Sequence, residues 1–219
     1  MTYSLTPYNL TPINDFTFSL KINGDYNTEL YYTIQKLIKT AHLDHETNTI
    51  IFSAEHVIPF KQYLETNKKC SHLTCVRLID NLSKHIFCLK KIGFGFYGFD
   101  INDILTIDGI FIFCSTTHIL PLYNDTFIFT SPIKKPYFSN PELFELTSLP
   151  FEINYKCCYY SLGVLVVFSL LNIYLLVGNE LKSSKEIDKI IKPLYNTKLY
   201  WFLKRCFDDD INNRKLLLV

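Results

Sequence analysis

Side chains that could bind a metal lie close together near the end of the first fifth of the chain. His42, Asp44, His45 and Glu46 supply imidazole and carboxylate groups, which zinc and iron accept as ligands. No second group of ligands completes a tetrahedral site at a recognisable spacing elsewhere in the sequence. The pattern therefore favours a polar loop, and no metal is expected.

Thiols and glycines offer two other kinds of chemistry. Cys114 and His118 form a close pair in which a histidine could activate a cysteine, and we do not expect it to be catalytic. The run from Gly93 to Gly98 matches G-x-G-x-x-G, which binds phosphate when a strand precedes it and a helix follows. Here a helical pattern precedes the run and a hairpin follows, so we expect a loop with buried aromatic rings. The seven cysteines contain no C-x-x-C pair, which indicates packing residues.

The composition is that of a folded chain with no electrostatic preference for nucleic acid. The 219 residues are 48% hydrophobic and 16% aromatic, which is enough apolar side chain to form a hydrophobic core. The 22 basic side chains are nearly balanced by 21 acidic ones. Nucleic-acid binding draws its affinity from clustered Lys and Arg, so DNA and RNA are not expected as partners. The first ten residues lack the basic and apolar regions of a signal peptide, and an odd number of cysteines favours reduced thiols in the cytoplasm.

Hydrophobic periodicity predicts the elements that would position these residues. In chain order we expect a strand at residues 16–21, a helix at 27–41 with Asn27 as its N-cap, a strand at 48–52, a helix at 59–66, a long helix between Ser71 and Gly93, a hairpin at 104–113, and short helices at 185–192 and 198–206.

Two longer segments need their own interpretation. Residues 114–155 are aromatic and show no sustained period, which is typical of a functional segment. Residues 157–179 carry no charge, and a run of that length fits either a membrane span or a helix buried on all sides. The apolar stripes predicted before and after the run need a surface to cover, so we expect a buried helix.

From residue 48 to residue 214 the chain resembles a protein-kinase domain from its hinge strand to its last helices. Four motifs in the expected order carry the resemblance: Phe99 to Leu105 in the place of the catalytic loop, Ser139 to Leu143 in the place of the A-P-E box, Tyr160 to Val164 in the place of W-S-x-G-V, and Asp210 to Arg214 in the place of D-x-x-x-R. The composition, rich in Tyr, Asn, Ile and Lys, is also similar to that of small kinase-like proteins of large DNA viruses. The resemblance implies an α+β fold, with a reduced N-lobe at residues 1–54 and a mainly helical C-lobe at residues 55–219.

The resemblance also assigns roles around the site of phosphoryl transfer. Asp100 keeps the position of the catalytic base, and Asp103 stands in place of the metal-binding Asn. Asn102 stands roughly where a lysine would neutralise the substrate. The one candidate for the strand lysine that binds ATP is Lys21, with Glu29 as its partner.

Four further residues have structural roles in the resemblance. Glu142 and Arg214 would form the ion pair that joins the end of the activation segment to the last helices. Ser161 and Gly163 belong to the motif that opens the central helix.

Several charges on which phosphoryl transfer depends are missing. Gly98 and Phe99 replace the His and Arg of the catalytic loop, Cys114 opens the tripeptide in the place of D-F-G, and Cys158 replaces an Asp of the central helix. No glycine-rich loop precedes Gly93. Phosphoryl transfer depends mostly on positioning and electrostatic stabilisation, so the missing charges imply a pseudokinase. We expect it to bind another protein, and we expect neither a cofactor nor an association with a membrane.

Two alternatives stay open. A divergent Ser/Thr kinase would use Asp100 as base and Asp103 as a metal ligand, and it would bind ATP and Mg²⁺. A membrane protein would be anchored by residues 157–179. For the pseudokinase we expect the binding surface on residues 114–155 and a cytoplasmic location, in the host cytoplasm or the virion if the protein is viral.

Overall fold

The computed structural model describes residues 7–24, 28–177 and 180–218, and these form an α+β structure of small antiparallel sheets and helices. The α-helices are α1 (Thr28–Leu37), α2 (Phe60–Asn67), α3 (His72–Lys91), α4 (Pro141–Phe144), α5 (Cys157–Leu171), α6 (Ser184–Ile191) and α7 (Lys198–Cys206). The strands are β1 (Tyr8–Asn14), β2 (Thr17–Ile22), β3 (His42–Asp44), β4 (Thr49–Ser53), β5 (Val57–Pro59), β6 (Phe94–Phe96), β7 (Ile104–Ile107), β8 (Ile110–Phe113), β9 (Ile119–Pro121), β10 (Thr126–Phe129), β11 (Phe151–Asn154), β12 (Leu176–Val177) and β13 (Glu180–Leu181). The expected α+β class is confirmed at this level.

The first sheet has the strand order β1-β2-β4-β3, and all of its strands lie within residues 1–54. The helix predicted at 27–41 ends earlier, at Leu37. Ile38 and Ala41 are nevertheless buried, because the turn after the helix folds them against the same core. The proposed cap Asn27 lies outside the described residues. Buried side chains of this part and of the rest of the chain form one continuous core.

The middle of the chain follows its sequence pattern closely. The Ser71 hydroxyl accepts the Thr74 N–H at 3.1 Å at the start of α3, as expected of an N-cap. Gly93 follows the helix with a φ of +81°, a conformation that favours glycine. The predicted hairpin is confirmed as β7 and β8, and its turn residues Asp108 and Gly109 have φ angles of 48° and 78°.

Residues 114–155 contain three strands and one short helix. Strand β9 pairs with β6, and β10 pairs with β11. The rings of Phe127, Phe129, Phe138 and Tyr155 are buried in the core. The aromatic surface that the sequence suggests for this segment is therefore small, because most of its rings pack inside the protein.

Helix α5 is buried, as the sequence predicts. Every side chain from Cys157 to Ser169 is buried. The helix is shorter than the uncharged run, because Asn172 takes a left-handed conformation and ends it after Leu171. Among the residues that the structure describes, no helix has the length and apolarity to cross a membrane. The alternative of a helical span over residues 157–179 is thus not supported, and residues 178–179 lie outside the described part.

A buried histidine on α3 lacks hydrogen-bond partners. His85 is fully buried, and its ring stands edge-on to Phe113 with ring centroids 5.6 Å apart. Neither ring nitrogen has a hydrogen-bond partner among the residues that the structure describes. Burial lowers the pKa of His85 to about 3, so its ring is neutral in the folded protein at ordinary pH.

This pKa predicts an acid-sensitive stability. Below about pH 6.5 the unfolded chain protonates His85 while the folded protein does not, so the free energy of unfolding falls by about 1.4 kcal/mol per pH unit from this group. Chemical denaturation at pH 7 and pH 5 measures the loss. Between pH 7 and pH 5 the variant His85→Phe should lose less stability than the parent. The control variant His72→Phe, at an exposed position, should lose as much stability as the parent. An unchanged pH dependence in His85→Phe would contradict the prediction.

Candidate functional site

The turn after β6 brings two carboxylates together. Asp100 precedes a single 3₁₀ turn formed by Ile101–Asp103. The Asp100 N–H donates to Asp103 Oδ2 at 2.9 Å, and the Asp103 N–H donates to the Asp100 carbonyl oxygen at 3.0 Å. The Asp103 carbonyl oxygen accepts the Cys114 N–H at 2.7 Å, so the end of β8 holds the turn. An Asp side chain suits this position because it accepts backbone N–H groups that a short turn leaves free.

The imidazole of His118 lies beside both carboxylates. Its Nε2 is 3.0 Å from Asp100 Oδ2 and 3.7 Å from Asp103 Oδ2. The pairing of β6 with β9 brings it there, and the Tyr97 N–H donates to the His118 carbonyl oxygen at 3.1 Å. The His118 side chain is 2% exposed and that of Asp100 is 29% exposed, so Asp100 forms the solvent side of the cluster.

Both ring nitrogens of His118 contact oxygen atoms. The Tyr97 hydroxyl, which donates to the Thr117 carbonyl oxygen at 3.2 Å, lies 3.2 Å from His118 Nδ1. On the other side of the ring, Nε2 faces the Asp100 carboxylate, which accepts hydrogen bonds but donates none while ionised. Nε2 is therefore the donor to Asp100.

The second oxygen of Asp100 is bound to the segment that follows β10. Asp100 Oδ1 accepts the N–H of Tyr137 at 2.6 Å. Next to this bond, the backbones of Phe99 and Phe138 pair as an isolated antiparallel bridge. Each oxygen of the Asp100 carboxylate therefore already accepts one hydrogen bond from the protein.

Burial and charge separate the pKa values of the two carboxyl groups. Burial raises the pKa of Asp100, but the hydrogen bonds from His118 and the Tyr137 N–H outweigh it, so the pKa lies below its ordinary value. For Asp103 burial dominates, and its pKa is raised in spite of the His118 charge. Burial and the two nearby carboxylates raise the pKa of Tyr97 to about 12. Asp100 is thus the anionic partner of His118 at neutral pH.

The same three side chains are the described residues that could hold a metal. Potential ligand atoms of Asp100, Asp103 and His118 lie within 4.8 Å of one another. Ligands about 2.0–2.1 Å from a tetrahedral zinc ion are about 3.3 Å apart, and the separations of 3.0 and 3.7 Å lie on either side of that value. The hydrogen bond from His118 to Asp100 already uses one of these ligand atoms on each side.

The structure gives no support to a metal site at residues 42–46. His42 and Asp44 are at the two ends of β3. Asp44 Oδ1 accepts the Glu46 N–H at 2.9 Å, and Asp44 Oδ2 accepts the Thr47 hydroxyl at 2.7 Å. Asp44 therefore closes a turn, as the expected polar loop requires.

The expected pair of Lys21 and Glu29 is not formed, and that expectation is corrected. Leu20 and Ile22 on β2 point into the core, so Lys21 between them points to solvent. Among the described residues, neither Lys21 nor Glu29 takes part in an ion pair. Strand alternation thus directs the lysine away from the interior.

All seven cysteines are free, and their surroundings do not suit a nucleophile. Cys114 is fully buried, and burial together with the Asp103 charge raises the pKa of its thiol. The nearby His118 is bound to Asp100 and Tyr97. Cys158 on α5 is also buried, which likewise raises its pKa.

Glu142 and Arg214 form the ion pair that the sequence analysis expects. Arg214 Nη2 donates to Glu142 Oε1 at 2.7 Å and Nη1 donates to Oε2 at 3.1 Å, which is a bidentate arrangement. Arg214 Nε also donates to the Asp208 carbonyl oxygen at 2.9 Å. The Arg214 side chain is 1% exposed and that of Glu142 is 18% exposed. The pair thus joins α4 to the C-terminal segment.

Ser161 and Gly163 lie at closely packed positions of α5. Ser161 Oγ accepts from the Asn140 side-chain amide at 3.0 Å. A Cβ at Gly163 would lie 2.8 Å from the Phe207 ring and 3.0 Å from Cys206 Cβ. Both residues therefore have packing roles, and neither lies among the residues around Asp100.

Two adjoining clefts lie next to the Asp100 turn. The larger, of about 760 Å³, is lined by β1 and α2, and the smaller, of about 530 Å³, is lined by α2, Tyr137 and Tyr174. Lys61, Glu65 and Asn102 line both. Of the turn, Asn102 thus faces both clefts and Ile101 faces the smaller one.

Sequence reasoning missed the main partners of Asp100. It considered His118 as an activator of Cys114, and it assigned no role to Tyr97 or Tyr137. The contacts depend on the pairing of two three-residue strands, which are too short to show a period. No protein-family model matches the chain, and no curated protein matches it significantly.

We predict that His118→Gln lowers the free energy of unfolding by about 1–3 kcal/mol, because it removes a hydrogen bond to the Asp100 carboxylate. Urea denaturation at pH 7 measures this, with the exposed His45→Gln as a control. Equal stability of His118→Gln and the parent would show that the contact is absent.

We also predict an asymmetry between the partners of the buried ion pair. Glu142→Ala should destabilise the protein by about 3–5 kcal/mol, because it leaves the nearly inaccessible Arg214 charge without a partner. Arg214→Met should cost less, since water can reach Glu142. Denaturation of both single variants and the double variant measures the coupling, and the double variant should lose less than the sum. Additive losses would contradict the pairing.

Proposed function

We propose that this chain is a catalytically degenerate protein-kinase-like protein, a pseudokinase, that acts by binding another protein. The order of its elements supports the proposal: a long helix, the Asp100 turn, a hairpin, and a strand that pairs back to β6. After these come α4 with Glu142, the buried helix α5, and Arg214 near the end. The four sequence motifs lie in the Asp100 turn, at the start of α4, in α5 and in the short turn that ends at Arg214, in the order of the resemblance.

The occupied carboxylate of Asp100 is the observation that carries the proposal. A kinase base must accept a proton from the hydroxyl group of its substrate within hydrogen-bond distance. Here His118 Nε2 takes one oxygen, and the Tyr137 N–H takes the other at 2.6 Å. The segment that would receive a substrate instead lies against the base.

The surroundings of Asp103 also favour loss of phosphoryl transfer. Mg²⁺ prefers oxygen ligands, and the fully buried thiol of Cys114 stands where the resemblance expects a carboxylate. Tyr8 of β1 is 8% exposed, and burial together with the charges of Cys114 and Asp103 raises the pKa of its hydroxyl. The Tyr8 hydroxyl therefore lies near Asp103, and Tyr8 lines the cleft of about 760 Å³ beside β1.

One observation favours the alternative of a divergent Ser/Thr kinase. The cleft of about 760 Å³ between β1 and α2 borders Asn102, next to Asp103, and has room for a nucleotide. In that case Asp100, whose pKa is lowered, would serve as the base and Asp103 as a metal ligand. Tyr137 would then have to move away from Asp100 before the reaction.

Thermal unfolding with ATP and Mg²⁺ tests the proposal. A ligand that binds the folded state at 100 times its dissociation constant adds about 2.7 kcal/mol, which raises the Tm of a chain this long by roughly 5–10 °C. We expect no shift beyond that caused by Mg²⁺ alone, and a catalytically active kinase in the same buffer is the control. A shift that disappears in EDTA and in Asp103→Ala would support the divergent kinase instead.

A further inference from the structure

Exposed aromatic rings gather where α6, the 3₁₀ turn at residues 192–194 and α7 meet. Tyr195 is 58% exposed, and Trp201 is 48% exposed. The ring of Tyr200 lies between them, with centroids 5.3 Å from Tyr195 and 5.1 Å from Trp201. These rings line or border a cavity of about 400 Å³, whose other lining residues include Lys189 and Lys192. We call these five residues the aromatic-lysine surface.

The surface lies in a basic part of the chain. Between residues 184 and 206 there are six basic and two acidic side chains, a net charge of +4, whereas the whole chain has +1. The acidic residue at the cavity, Asp188, is already paired with Lys204 at 2.7 Å. Among the described residues, Lys189 and Lys192 have no ion-pair partner, and both are exposed. Their charges are thus available to a ligand.

We propose that the aromatic-lysine surface binds an acidic peptide segment of a partner protein. One apolar or aromatic side chain of the peptide enters the cavity, and flanking carboxylates face Lys189 and Lys192. Tyr and Trp provide much of the binding energy at protein interfaces, and complementary charge at the rim selects the partner. The inference rests on the proposed function, because it names the surface and the partner chemistry of a protein-binding pseudokinase.

The shape and charge of the cavity favour a peptide over other anionic ligands. Asp188 lines the cavity next to Lys189 and Lys192 and is paired with Lys204. Two lysines would also neutralise few phosphates, so the electrostatic gain with nucleic acid is small. A concave site of this volume accepts a single side chain better than the flat face of a membrane. A peptide N–H group can in addition donate to Asp188.

The single tryptophan makes the surface directly observable. The chain contains one Trp, Trp201, so its fluorescence reports on this site alone. The probes are three peptides of equal length with a central Phe, flanked by Glu, by Gln or by Lys. We expect the Glu peptide to change the Trp201 emission with saturation, and to bind about tenfold or more tightly than the Gln peptide at low salt. The Lys peptide should give no change.

Paired charge reversals locate the effect. The variant Lys189→Glu/Lys192→Glu should weaken binding of the Glu peptide about tenfold or more, because it replaces attraction by repulsion. The control Lys36→Glu/Lys39→Glu makes the same change in net charge at exposed positions at the end of α1 and beyond it, and should bind as the parent does. Equal loss in both variants would show a general charge effect and would overturn the inference.

Other occupants would give different results. A short oligouridylate, or vesicles with phosphatidylserine, that changed the Trp201 emission at lower concentration than the Glu peptide would overturn the peptide assignment. No response to any of the peptides would overturn it as well. If no peptide binds and Mg-ATP also fails to stabilise the protein, the result overturns the aromatic-lysine surface and leaves the pseudokinase proposal in place. Peptide binding together with stabilisation by Mg-ATP would support the surface and contradict the pseudokinase.

Discussion

Helix α5 carries no charged side chain, and this constraint determines how the surrounding elements are placed. A helix whose faces are all apolar is stable in water only when neighbours cover each face. Helices α3 and α7 pack against it, and at Gly163 the missing side chain allows Phe207 to approach. Each Å² of apolar surface removed from water contributes about 25 cal/mol, so burial of the apolar surface of α5 is a large part of the driving force for folding. The stripes of α3 and α7 are buried for the same reason.

A short chain of polar contacts connects this helix to the turn at Asp100. The side-chain amide of Asn140 is fully buried, and it donates to the Tyr97 carbonyl oxygen at 2.7 Å and to Ser161 Oγ at 3.0 Å. Tyr97 in turn bonds to His118, and His118 bonds to Asp100. Because a buried amide without partners would be costly, these contacts hold α5, α4 and β6 in one arrangement. The geometry of the cluster thus follows from the packing of the core.

Much of the fold could be predicted because its elements have local signals. Helix α3 has a cap and a long apolar stripe, and the β7–β8 turn has Asp108 and Gly109, so both were predictable from a few neighbouring residues. Helix α1 was predicted too long, because Ile38 keeps the helical spacing while packing from the turn beyond it. The contact of His118 with Asp100 has no such signal, since 18 residues separate the two and tertiary pairing brings them together.

The cluster also limits the chemistry that Asp100 could perform. Each of its two oxygens already accepts one hydrogen bond, from His118 or from the Tyr137 N–H. Hydrogen bonds to the ionised form lower the pKa of a carboxyl group, so both contacts make Asp100 a weaker base. His118 is nearly inaccessible, so its loss of this partner would cost more than the loss at a surface group. Lys189 and Lys192 differ from this cluster, because both are exposed and neither takes part in an ion pair among the described residues. The buried groups around Asp100 thus have their partners within the protein, whereas these two lysines keep their charges exposed to solvent.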